Sequence, residues 1–528
     1  MPGTLGEGRV TVSTSNFKKQ GIVLLSGAAV FICVLAMPLP GGMTPEGKRL
    51  LAVAVLMAVW WIGEGTSIAV TALLPLVLFP LLSILPSKEV APNYANHLVF
   101  LFLGGFMIAL AMEKWNFHRR VALNIIHFVG TSLNRIVLGF MVASAFLSMW
   151  ISNTATTMMM LPVGMAVVMQ IASQARVRGY RDESTETAVK NSFGLVLMLG
   201  LAYASSIGGV GTLIGTPPNI VFAGFYKKMF PGEPEISFLQ WMVMALPVVC
   251  LFLPFVWFIL CRFISPLPLG EIEIGKEGAR VIEMEIQELG SMSRAEKIIA
   301  CIFCLTALLW IFRKSIPLGT VTLPGWSSLF SHPAYLHDAT VAMFMGLLLM
   351  VFPVNGVKGL PLSGRTEHFV LDWSTVEAKV PWGILLLFGG GFALAAGFEK
   401  TGLDHWVGQK LAGVSVLPLS AVVLLICLGI TFLTELTSNT ATTTMILPVI
   451  GVAAVAAHYH PLLLMVPATL SASFAFMLPV ATPPNAIVFG SGWVSVPQMS
   501  RAGLILNLVG AILVTALVLT VVQSFIVS

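Results

Sequence analysis

A short polar motif occurs twice in the chain, each time in the middle of a long apolar stretch. Residues 152–162 read SNTATTMMMLP and residues 438–448 read SNTATTTMILP. The first motif lies within the apolar stretch 136–172, and the second lies within 416–457. Polar or irregular backbone at membrane depth is tolerated only where it is buried in protein or lines a cavity. Both stretches are therefore predicted to be re-entrant hairpins whose tips reach the interior of a membrane.

The two motifs belong to an internal duplication. They are separated by 438 − 152 = 286 residues. The same offset relates two further pairs of short segments, 104–106 with 390–392 and 113–114 with 399–400. Further along, GTPPN at 215–219 corresponds to ATPPN at 481–485, at an offset of 482 − 216 = 266 residues. The chain is therefore predicted to contain two related halves, each with a hairpin followed by a T-P-P-N segment.

The remaining apolar runs predict a membrane protein. Apolar residues make up 57% of the 528 residues and charged residues only 10%, whereas a soluble chain has roughly a quarter charged residues. A spanning helix needs about 20 mostly apolar residues. The runs that qualify are roughly 21–39, 50–63, 66–86, 97–112, 192–228, 238–264, 296–315, 338–354, 383–398, 461–490 and 503–526. The predicted fold class is an all-α polytopic membrane protein.

The distribution of positive charge predicts opposite orientations for the two hairpins. The first hairpin is flanked by Arg119, Arg120, Arg135, Arg176, Arg178, Arg181 and Lys190. The second has Lys410 before it and no Lys or Arg between it and the next helix. Because cytoplasmic loops are enriched in Lys and Arg, the first hairpin should enter from the cytoplasm and the second from outside. This is an inverted repeat, which in secondary transporters places the binding site at the repeat interface.

Each T-P-P-N segment is predicted to interrupt a helix. Proline removes a backbone donor and pushes the residue before it out of the α region, and here two prolines are adjacent, at 217–218 and 483–484. A break exposes carbonyl groups, which suit a small cation, and N–H groups, which suit an anion. The hairpin tips add Ser hydroxyls and Asn amides that can bind a carboxylate.

The absence of charge in these motifs predicts a coupling ion. None of the SNTATT or T-P-P-N segments contains Lys, Arg, Asp, Glu or His. An anion bound there would rest on neutral dipoles, so its charge would have to be offset by co-bound cations. Oxygen-rich sites without carboxylates favour sodium over calcium or magnesium, which usually recruit carboxylates. The alternative is that the Ser and Thr side chains only join helices and the prolines only kink them.

With S-N-T followed by A-T-T and L-P, twice, and with GTPPN and ATPPN, the sequence resembles the divalent-anion/sodium symporter (DASS) family. That family includes sodium–dicarboxylate transporters, and the resemblance extends from about residue 21 to the end of the chain. It implies about eleven transmembrane helices plus the two re-entrant hairpins, a homodimer, and transport by an elevator movement. No N-x-[ST] sequon occurs in the chain, which favours a bacterial inner membrane.

Matching the motif positions gives the binding residues that the resemblance implies. One sodium ion would bind at Ser148, Ser152, Asn153 and the backbone near Gly215. A second would bind at Thr434, Thr437, Ser438, Asn439 and the backbone near Ala481. The substrate carboxylates would meet Ser152, Asn153, Thr154, Ser438, Asn439 and Thr440, with Thr216, Pro217, Thr482 and Pro483 lining the site.

The predicted segments follow from the duplication and the resemblance. They are a cytoplasmic N-terminal tail (1–20), scaffold helices of the first repeat (21–133), a first transport half (134–264), a cytoplasmic linker (265–295), scaffold helices of the second repeat (296–410) and a second transport half (411–528). The Glu-rich linker is interpreted as a solvated amphipathic surface.

Glu435 has no counterpart in the first half, where Met149 occupies the equivalent position. An isolated carboxylate at membrane depth costs a few kcal/mol unless it is paired or hydrated. Two interpretations remain open: a proton or cation sensor near the second sodium, or a hydrogen bond that locks the hairpin.

Other functions are less well supported by the sequence. The net charge of +5 is modest and gives no nucleic-acid patch. Cys301 and Cys304 form a C-x-x-C within an apolar run, so they are interpreted as apolar filler and not as a metal or redox site. Ser152 and Ser438 have no His or Lys beside them, which argues against an enzyme. The predicted function is sodium-coupled uptake of C4-dicarboxylates; the alternatives are a sodium-independent dicarboxylate exchanger, or a symporter for citrate or sulfate.

Overall fold

The computed structural model describes residues 14–130, 132–177, 190–264, 275–318, 321–354, 369–411 and 417–524. Most of the predicted N-terminal tail, most of the hydrophilic loop 176–190 and the first part of the linker, 265–274, lie outside these residues. The described chain is almost entirely helical, as the sequence predicted.

The first half contains helices α1 (Thr14–Ala36), α2 (Pro45–Gly63), α3 (Ile68–Ala72), α4 (Leu74–Leu81), α5 (Ser87–Val90), α6 (His97–Lys114), α7 (Phe117–Val129), α8 (Leu133–Ser148), α9 (Asn153–Val177), α10 (Leu195–Gly209), α11 (Pro217–Met229) and α12 (Phe238–Ile259). The second half contains α13 (Gly275–Glu288), α14 (Arg294–Ile311), α15 (Asp338–Val351), α16 (Trp373–Lys379), α17 (Trp382–Thr401), α18 (Leu403–Leu411), α19 (Leu419–Thr434), α20 (Asn439–Ala456), α21 (Leu462–Ala472), α22 (Pro483–Phe489) and α23 (Val496–Leu517). A small antiparallel hairpin of β1 (Ile316–Leu318) and β2 (Val321–Leu323) departs from the all-helical prediction.

The long helices fit a membrane. Within the described ranges, eight helical segments are long and apolar enough to cross a bilayer: Lys18–Ala36, Ser87–Lys114, Asn153–Ser173, Ser192–Gly209, Phe238–Ile264, Trp382–Thr401, Asn439–Ala456 and Val496–Val522. Five shorter apolar segments accompany them: Ile68–Leu81, Leu133–Ser148, Asp338–Val351, Leu419–Thr434 and Leu462–Ala472. The polytopic membrane fold is confirmed, and the count of eleven transmembrane helices stays a prediction.

Both SNTATT motifs lie at the turns of helical hairpins. The first hairpin consists of α8 and α9, and the second of α19 and α20. The entering helices, α8 and α19, have 16 residues each, which corresponds to about 24 Å at 1.5 Å per residue. This is shorter than the roughly 30 Å hydrocarbon core of a bilayer. The entering helices are therefore short for a full crossing, whereas the returning helices α9 and α20 are long enough for one. The re-entrant form of the hairpins stays a prediction.

Both T-P-P-N segments interrupt helices, as predicted. In the first repeat the chain leaves α10 after Gly209 and enters α11 at Pro217; in the second it leaves α21 after Ala472 and enters α22 at Pro483. The prolines occupy the first positions of the new helices, where the fixed φ of proline is favourable and its missing N–H costs nothing. The non-helical segment therefore precedes the prolines and spans 210–216 and 473–482.

The helices that lead into these breaks are the most buried in the structure. Every residue of α10 is buried, and so is every residue of α21. Because α10 packs against α8 and α9, and α21 packs against α19 and α20, each break lies beside the tip of the hairpin from its own half.

The linker predicted at 265–295 is attached to the helical body more closely than the sequence suggested. Its described part contains α13, in which Val281 and Ile282 are buried. An ion pair joins Glu285 of α13 to Arg119 of α7. Arg120 donates to Glu296 at 2.6 Å and to the carbonyl oxygen of Gly290 at 2.9 Å. The arginines that set the predicted orientation therefore also hold the linker helix.

Candidate functional site

A pair of polar side chains closes the first hairpin tip. Ser148 is the last residue of α8 and is fully buried, and Asn153 is the first residue of α9. The Ser148 hydroxyl donates a hydrogen bond of 2.5 Å to Oδ1 of Asn153. The turn between them therefore presents two oxygen atoms side by side at the tip.

The second tip repeats this arrangement with threonine in place of serine. The Thr434 hydroxyl lies 2.6 Å from Oδ1 of Asn439. It also lies 3.1 Å from the carbonyl oxygen of Ala472, the last residue of α21. A hydroxyl has one proton, so it can satisfy only one of these two oxygens fully. Three oxygen atoms thus meet at the junction of the second hairpin and its broken helix, which is the kind of surrounding that a sodium ion requires.

In the first half, the backbone of the break packs directly against the backbone of the hairpin tip. A Cβ atom placed at Gly215 would lie 2.4 Å from the carbonyl oxygen of Gly209 and 3.0 Å from that of Ser148. A Cβ atom at Gly209 would lie 2.5 Å from Oδ1 of Asn153. The structure therefore brings together three of the residues assigned to the first sodium, namely Ser148, Asn153 and Gly215.

In each half, an asparagine side chain donates hydrogen bonds to carbonyl oxygens at the break. The Asn219 side-chain amide donates to the carbonyl oxygens of Gly209 at 3.1 Å and Thr212 at 2.6 Å. In the second half the Asn485 amide donates to the carbonyl oxygens of Ala475 and Leu478, both at 3.0 Å. All three positions of the first set correspond to those of the second at the 266-residue offset. The duplication is thus preserved in the hydrogen bonds, although only the asparagines themselves are common to both sequences.

The remaining predicted residues lie around these tips with different exposure. Thr216 and Thr482 are buried at the N-termini of α11 and α22, and Pro483 is exposed. The Ser152 hydroxyl is exposed and accepts a hydrogen bond of 3.2 Å from the Ala155 amide. The side chains of Thr154, Pro217, Ser438 and Thr440 are half-buried.

Two residues assigned to the second sodium are less well placed than Thr434 and Asn439. The Thr437 hydroxyl is 2.9 Å from the carbonyl oxygen of Leu433 and 2.6 Å from the Thr442 hydroxyl. These contacts direct it into its own hairpin. The Ala481 amide donates to the carbonyl oxygen of Leu478 at 3.2 Å, within the break. A role for these two residues stays a prediction.

The buried carboxylate of Glu435 has hydrogen-bond partners, as its place in an apolar run required. Its Oε1 accepts hydrogen bonds from the backbone amides of Phe476 at 2.7 Å and Met477 at 2.9 Å, and its Oε2 accepts one from Leu478 at 3.1 Å. These amides are freed by the second break. The carboxylate therefore ties the hairpin to the break, which favours the interpretation as a lock.

Sequence reasoning missed two residues that support the breaks from outside the motifs. The Thr212 hydroxyl donates to the carbonyl oxygen of Met149 at the first tip. The Tyr203 hydroxyl, on α10 of the first half, donates to the carbonyl oxygen of Phe476 in the second break at 2.9 Å. Neither residue lies in a repeated motif, so the sequence carried no signal for either contact.

A cavity of about 440 Å³ lies away from this site, between the ends of α11, α17, α18 and α20. Glu399, Asp404 and Val452 are among its lining residues, and none of the predicted binding residues lines it. The candidate site is thus defined by the two tips and the two breaks.

Comparison with known proteins gives a consistent result over nearly the whole chain. A model of the family described as the sodium:sulfate symporter transmembrane region matches residues 18–526. The sodium-dependent dicarboxylate transporter SdcS of Staphylococcus saprophyticus is 42% identical over 500 residues, which cover 94% of this chain and 91% of the relative. The protein of the same name from Staphylococcus aureus strain RF122 is 41% identical over 499 residues, with coverages of 94% and 90%.

A solved structure shares the fold at low sequence identity. MtrF of Neisseria gonorrhoeae, described as illuminating a class of antimetabolite efflux pumps, aligns with a TM-score of 0.52 and 12% identity. The alignment covers 96% of this chain and 94% of MtrF. At this identity the likeness concerns the arrangement of the helices alone.

Proposed function

We propose that this chain, which belongs to the sodium:sulfate symporter family, takes up C4-dicarboxylates such as succinate, fumarate and malate together with sodium ions. It is an integral multi-pass protein of a bacterial plasma membrane, and its relatives in that family are transporters. The names of the Staphylococcus relatives support both the dicarboxylate and the sodium ion. The structural observation that carries the proposal is the pair of oxygen clusters at the tips, Ser148 with Asn153 and Thr434 with Asn439.

The clusters support sodium binding through neutral oxygens. In each tip a hydroxyl proton bridges two oxygen atoms. A sodium ion at the same place would take over that bridging role, and the hydroxyl proton would turn away so that both oxygens direct lone pairs at the ion. One ion would use Ser148, Ser152, Asn153 and the backbone near Gly215. The other would use Thr434, Thr437, Ser438, Asn439 and the backbone near Ala481.

The anion would be held by helix N-termini and not by basic side chains. Four helices, α9, α11, α20 and α22, begin at Asn153, Pro217, Asn439 and Pro483. A helix N-terminus carries unsatisfied N–H groups and a partial positive charge. Together with the hydroxyls and amides of Ser152, Asn153, Thr154, Ser438, Asn439 and Thr440, these termini suit a dianion with a carboxylate at each end. Thr216, Pro217, Thr482 and Pro483 would line the space between.

Coupling follows from electrostatics. Neutral dipoles alone stabilise two negative charges poorly in a membrane interior. Bound sodium ions next to the tips would offset that charge, so substrate affinity should depend on sodium. Movement would be of the elevator type in a homodimer, with the transport halves 134–264 and 411–528 moving against the scaffold ranges 21–133 and 296–410. The tail 1–20 and the linker 265–295 would remain on the cytoplasmic side.

Two alternatives share the same fold. A sodium-independent dicarboxylate exchanger would not need the oxygen clusters, and both clusters are intact. A symporter for another divalent anion such as sulfate or citrate would use the same tips, and the family is described by sulfate. The Staphylococcus relatives are named as dicarboxylate transporters, which favours dicarboxylates over sulfate as the substrate.

The decisive experiment is uptake of labelled succinate, citrate and sulfate into proteoliposomes, each with and without an inward sodium gradient. We expect succinate uptake that depends on sodium, with little uptake of the other two anions. Equal uptake in choline and in sodium would identify the exchanger. Preferential uptake of sulfate or citrate would replace the dicarboxylate as substrate.

A further inference from the structure

Three side chains of metal-ligating type, from separate segments and outside the two tips and breaks, converge in one cluster. His97 is the first residue of α6, Glu235 lies in the loop between α11 and α12, and His337 caps the N-terminus of α15. Nε2 of His97 lies 2.8 Å from Oε1 of Glu235, and Nε2 of His337 lies 3.1 Å from the same oxygen. The ligand atoms of all three residues lie within 4.8 Å of one another.

The donor set matches that of a zinc-type ion. Zinc binds His nitrogen at about 2.0–2.1 Å and carboxylate oxygen at about 2.0–2.2 Å, and two His with one Glu leave a fourth tetrahedral position open for water. Tetrahedral bonds of that length place the ligand atoms about 3.3–3.5 Å apart. To reach that separation, the 2.8 Å distance from His97 to Glu235 would have to widen by about 0.5–0.7 Å and the 3.1 Å distance from His337 by about 0.2–0.4 Å. The two imidazole rings, 4.4 Å apart between centroids in an edge-to-face arrangement, allow this.

One nitrogen of the cluster is left without a hydrogen bond. Nε2 of His337 is buried, and the 3.1 Å approach to Glu235 is too poorly aligned to give this nitrogen a hydrogen-bond partner. A metal ion bound at this nitrogen would fill a position that the described protein groups leave unpaired.

Groups next to the cluster lower its expected affinity for a metal ion. Nδ1 of His337 accepts a hydrogen bond of 3.0 Å from the Ala339 amide, so the proton of the neutral ring is on Nε2. Metal binding must move that proton and give up the cap, which costs roughly a factor of five in affinity. The Lys314 ammonium donates to the Glu235 carbonyl oxygen at 3.2 Å and adds a nearby positive charge. Arg313 is paired with Asp338 and so contributes less.

We propose that His97, Glu235 and His337 form a binding site for a zinc-type divalent cation. The ion would join the loop before α12 to the N-termini of α6 and α15. In the segments assigned above, the two histidines belong to scaffold ranges and the glutamate to a transport half. A bound ion would therefore cross-link parts of the protein that the proposed movement separates.

The test measures binding directly, so it does not depend on whether the transport proposal holds. Protein without a histidine tag is titrated with Zn²⁺ at neutral pH, by calorimetry and by the melting temperature from tryptophan fluorescence. We expect one saturable site that raises the melting temperature, as binding to the folded state must. Mg²⁺ should have no effect, because it prefers oxygen ligands.

Matched variants identify the ligands. His97→Ala and Glu235→Gln should each weaken zinc binding by about tenfold or more, the effect typical of losing a supporting group at such sites. His337→Asn should do the same while keeping a side-chain cap on α15. His332→Ala is the control, because His332 is exposed on a neighbouring segment and stacks on Tyr335 outside the cluster.

Zinc binding of unchanged affinity in both His97→Ala and Glu235→Gln would overturn the proposal, and so would a wild-type protein that binds no zinc. Each variant must show the wild-type elution profile and metal-free melting temperature. If His97→Ala fails to fold, Glu235→Gln alone decides, because it keeps the size and shape of the side chain.

Discussion

Asn507 of α23 donates its side-chain amide to Oε1 of Glu435 at 2.7 Å, and both residues are buried. With the three backbone amides of the second break, Glu435 thus accepts four hydrogen bonds. The second hairpin, the second break and the last long helix meet at this one carboxylate. The first half has no such junction, because Met149 replaces the glutamate and the Thr212 hydroxyl meets its carbonyl oxygen instead.

Glu435→Gln should destabilise the protein. The new NH2 group would face at least one of the amide donors, and a lost hydrogen bond to a charged group costs roughly 1.5–3 kcal/mol. We expect a lower melting temperature and reduced uptake, with little change in the sodium dependence of the remaining activity. Glu377→Gln, an exposed glutamate of α16, is the control. An unchanged melting temperature with altered sodium dependence would instead support the sensor interpretation.

Ser148→Ala and Thr434→Ala should each raise the sodium concentration for half-maximal uptake. Each removes one neutral oxygen from a cluster, and a loss of about 1 kcal/mol corresponds to about a fivefold increase. Uptake at saturating sodium should retain a nearly unchanged succinate affinity. Thr306→Ala is the control, because its buried hydroxyl donates only to the Ile302 carbonyl oxygen within α14. A sodium dependence equal to that of wild type in both variants would place the cation sites elsewhere.

Asn439→Ala should abolish most uptake while leaving the folded protein intact. Asn153 and Asn439 occupy equivalent places on the two tips, so each could offer its amide to one end of a dianion. A monocarboxylate would engage one tip only and lose roughly 1.5–3 kcal/mol, about ten- to a hundredfold in affinity. Succinate, fumarate or malate should therefore outcompete lactate or acetate by that margin. Asn124→Ala, on the exposed side of α7, should transport normally. Full uptake in Asn439→Ala would exclude this position for the anion.

The inverted repeat can be tested by labelling. In a variant without the native cysteines, Ser291→Cys should react only from the cytoplasmic side, because it lies beside the linker helix and the arginines of α7. Tyr459→Cys, between α20 and α21, should react only from outside. Reaction of both from the same face would remove the opposite orientation of the two halves.

Much of the geometry of the candidate site could be predicted because the duplication marks it. The equivalence of Ser148 with Thr434 was readable from the offset alone, and both residues do pair with the asparagine five positions later. The breaks were predictable from the paired prolines. The exact position of each break was harder to predict. Whether a proline ends one helix or starts the next depends on where the preceding carbonyl groups find hydrogen-bond partners. Here Asn219 and Asn485 supply those partners and shift the irregular backbone upstream.

The contacts of Glu435 and Tyr203 could not be predicted, for a physical reason. Their partners are backbone groups and one amide at least 41 residues away in the chain. Such contacts leave no periodicity or spacing in the sequence. An isolated carboxylate in an apolar run signals that a partner exists, but only the folded structure shows that the partner is the second break.

Gly215 lies so close to Gly209 that the first half cannot take over the equivalent residues of the second half at this place. The equivalent residues of the second half are Ala481 and Ala475, so that break accommodates a methyl group at both places. A Cβ at Gly215 would meet backbone oxygen at 2.4 Å, and backbone cannot move aside cheaply. A gene conversion that copied the second T-P-P-N segment over the first would therefore be expected to yield a defective protein. The two breaks are therefore not interchangeable at these positions, although the same T-P-P-N motif follows both.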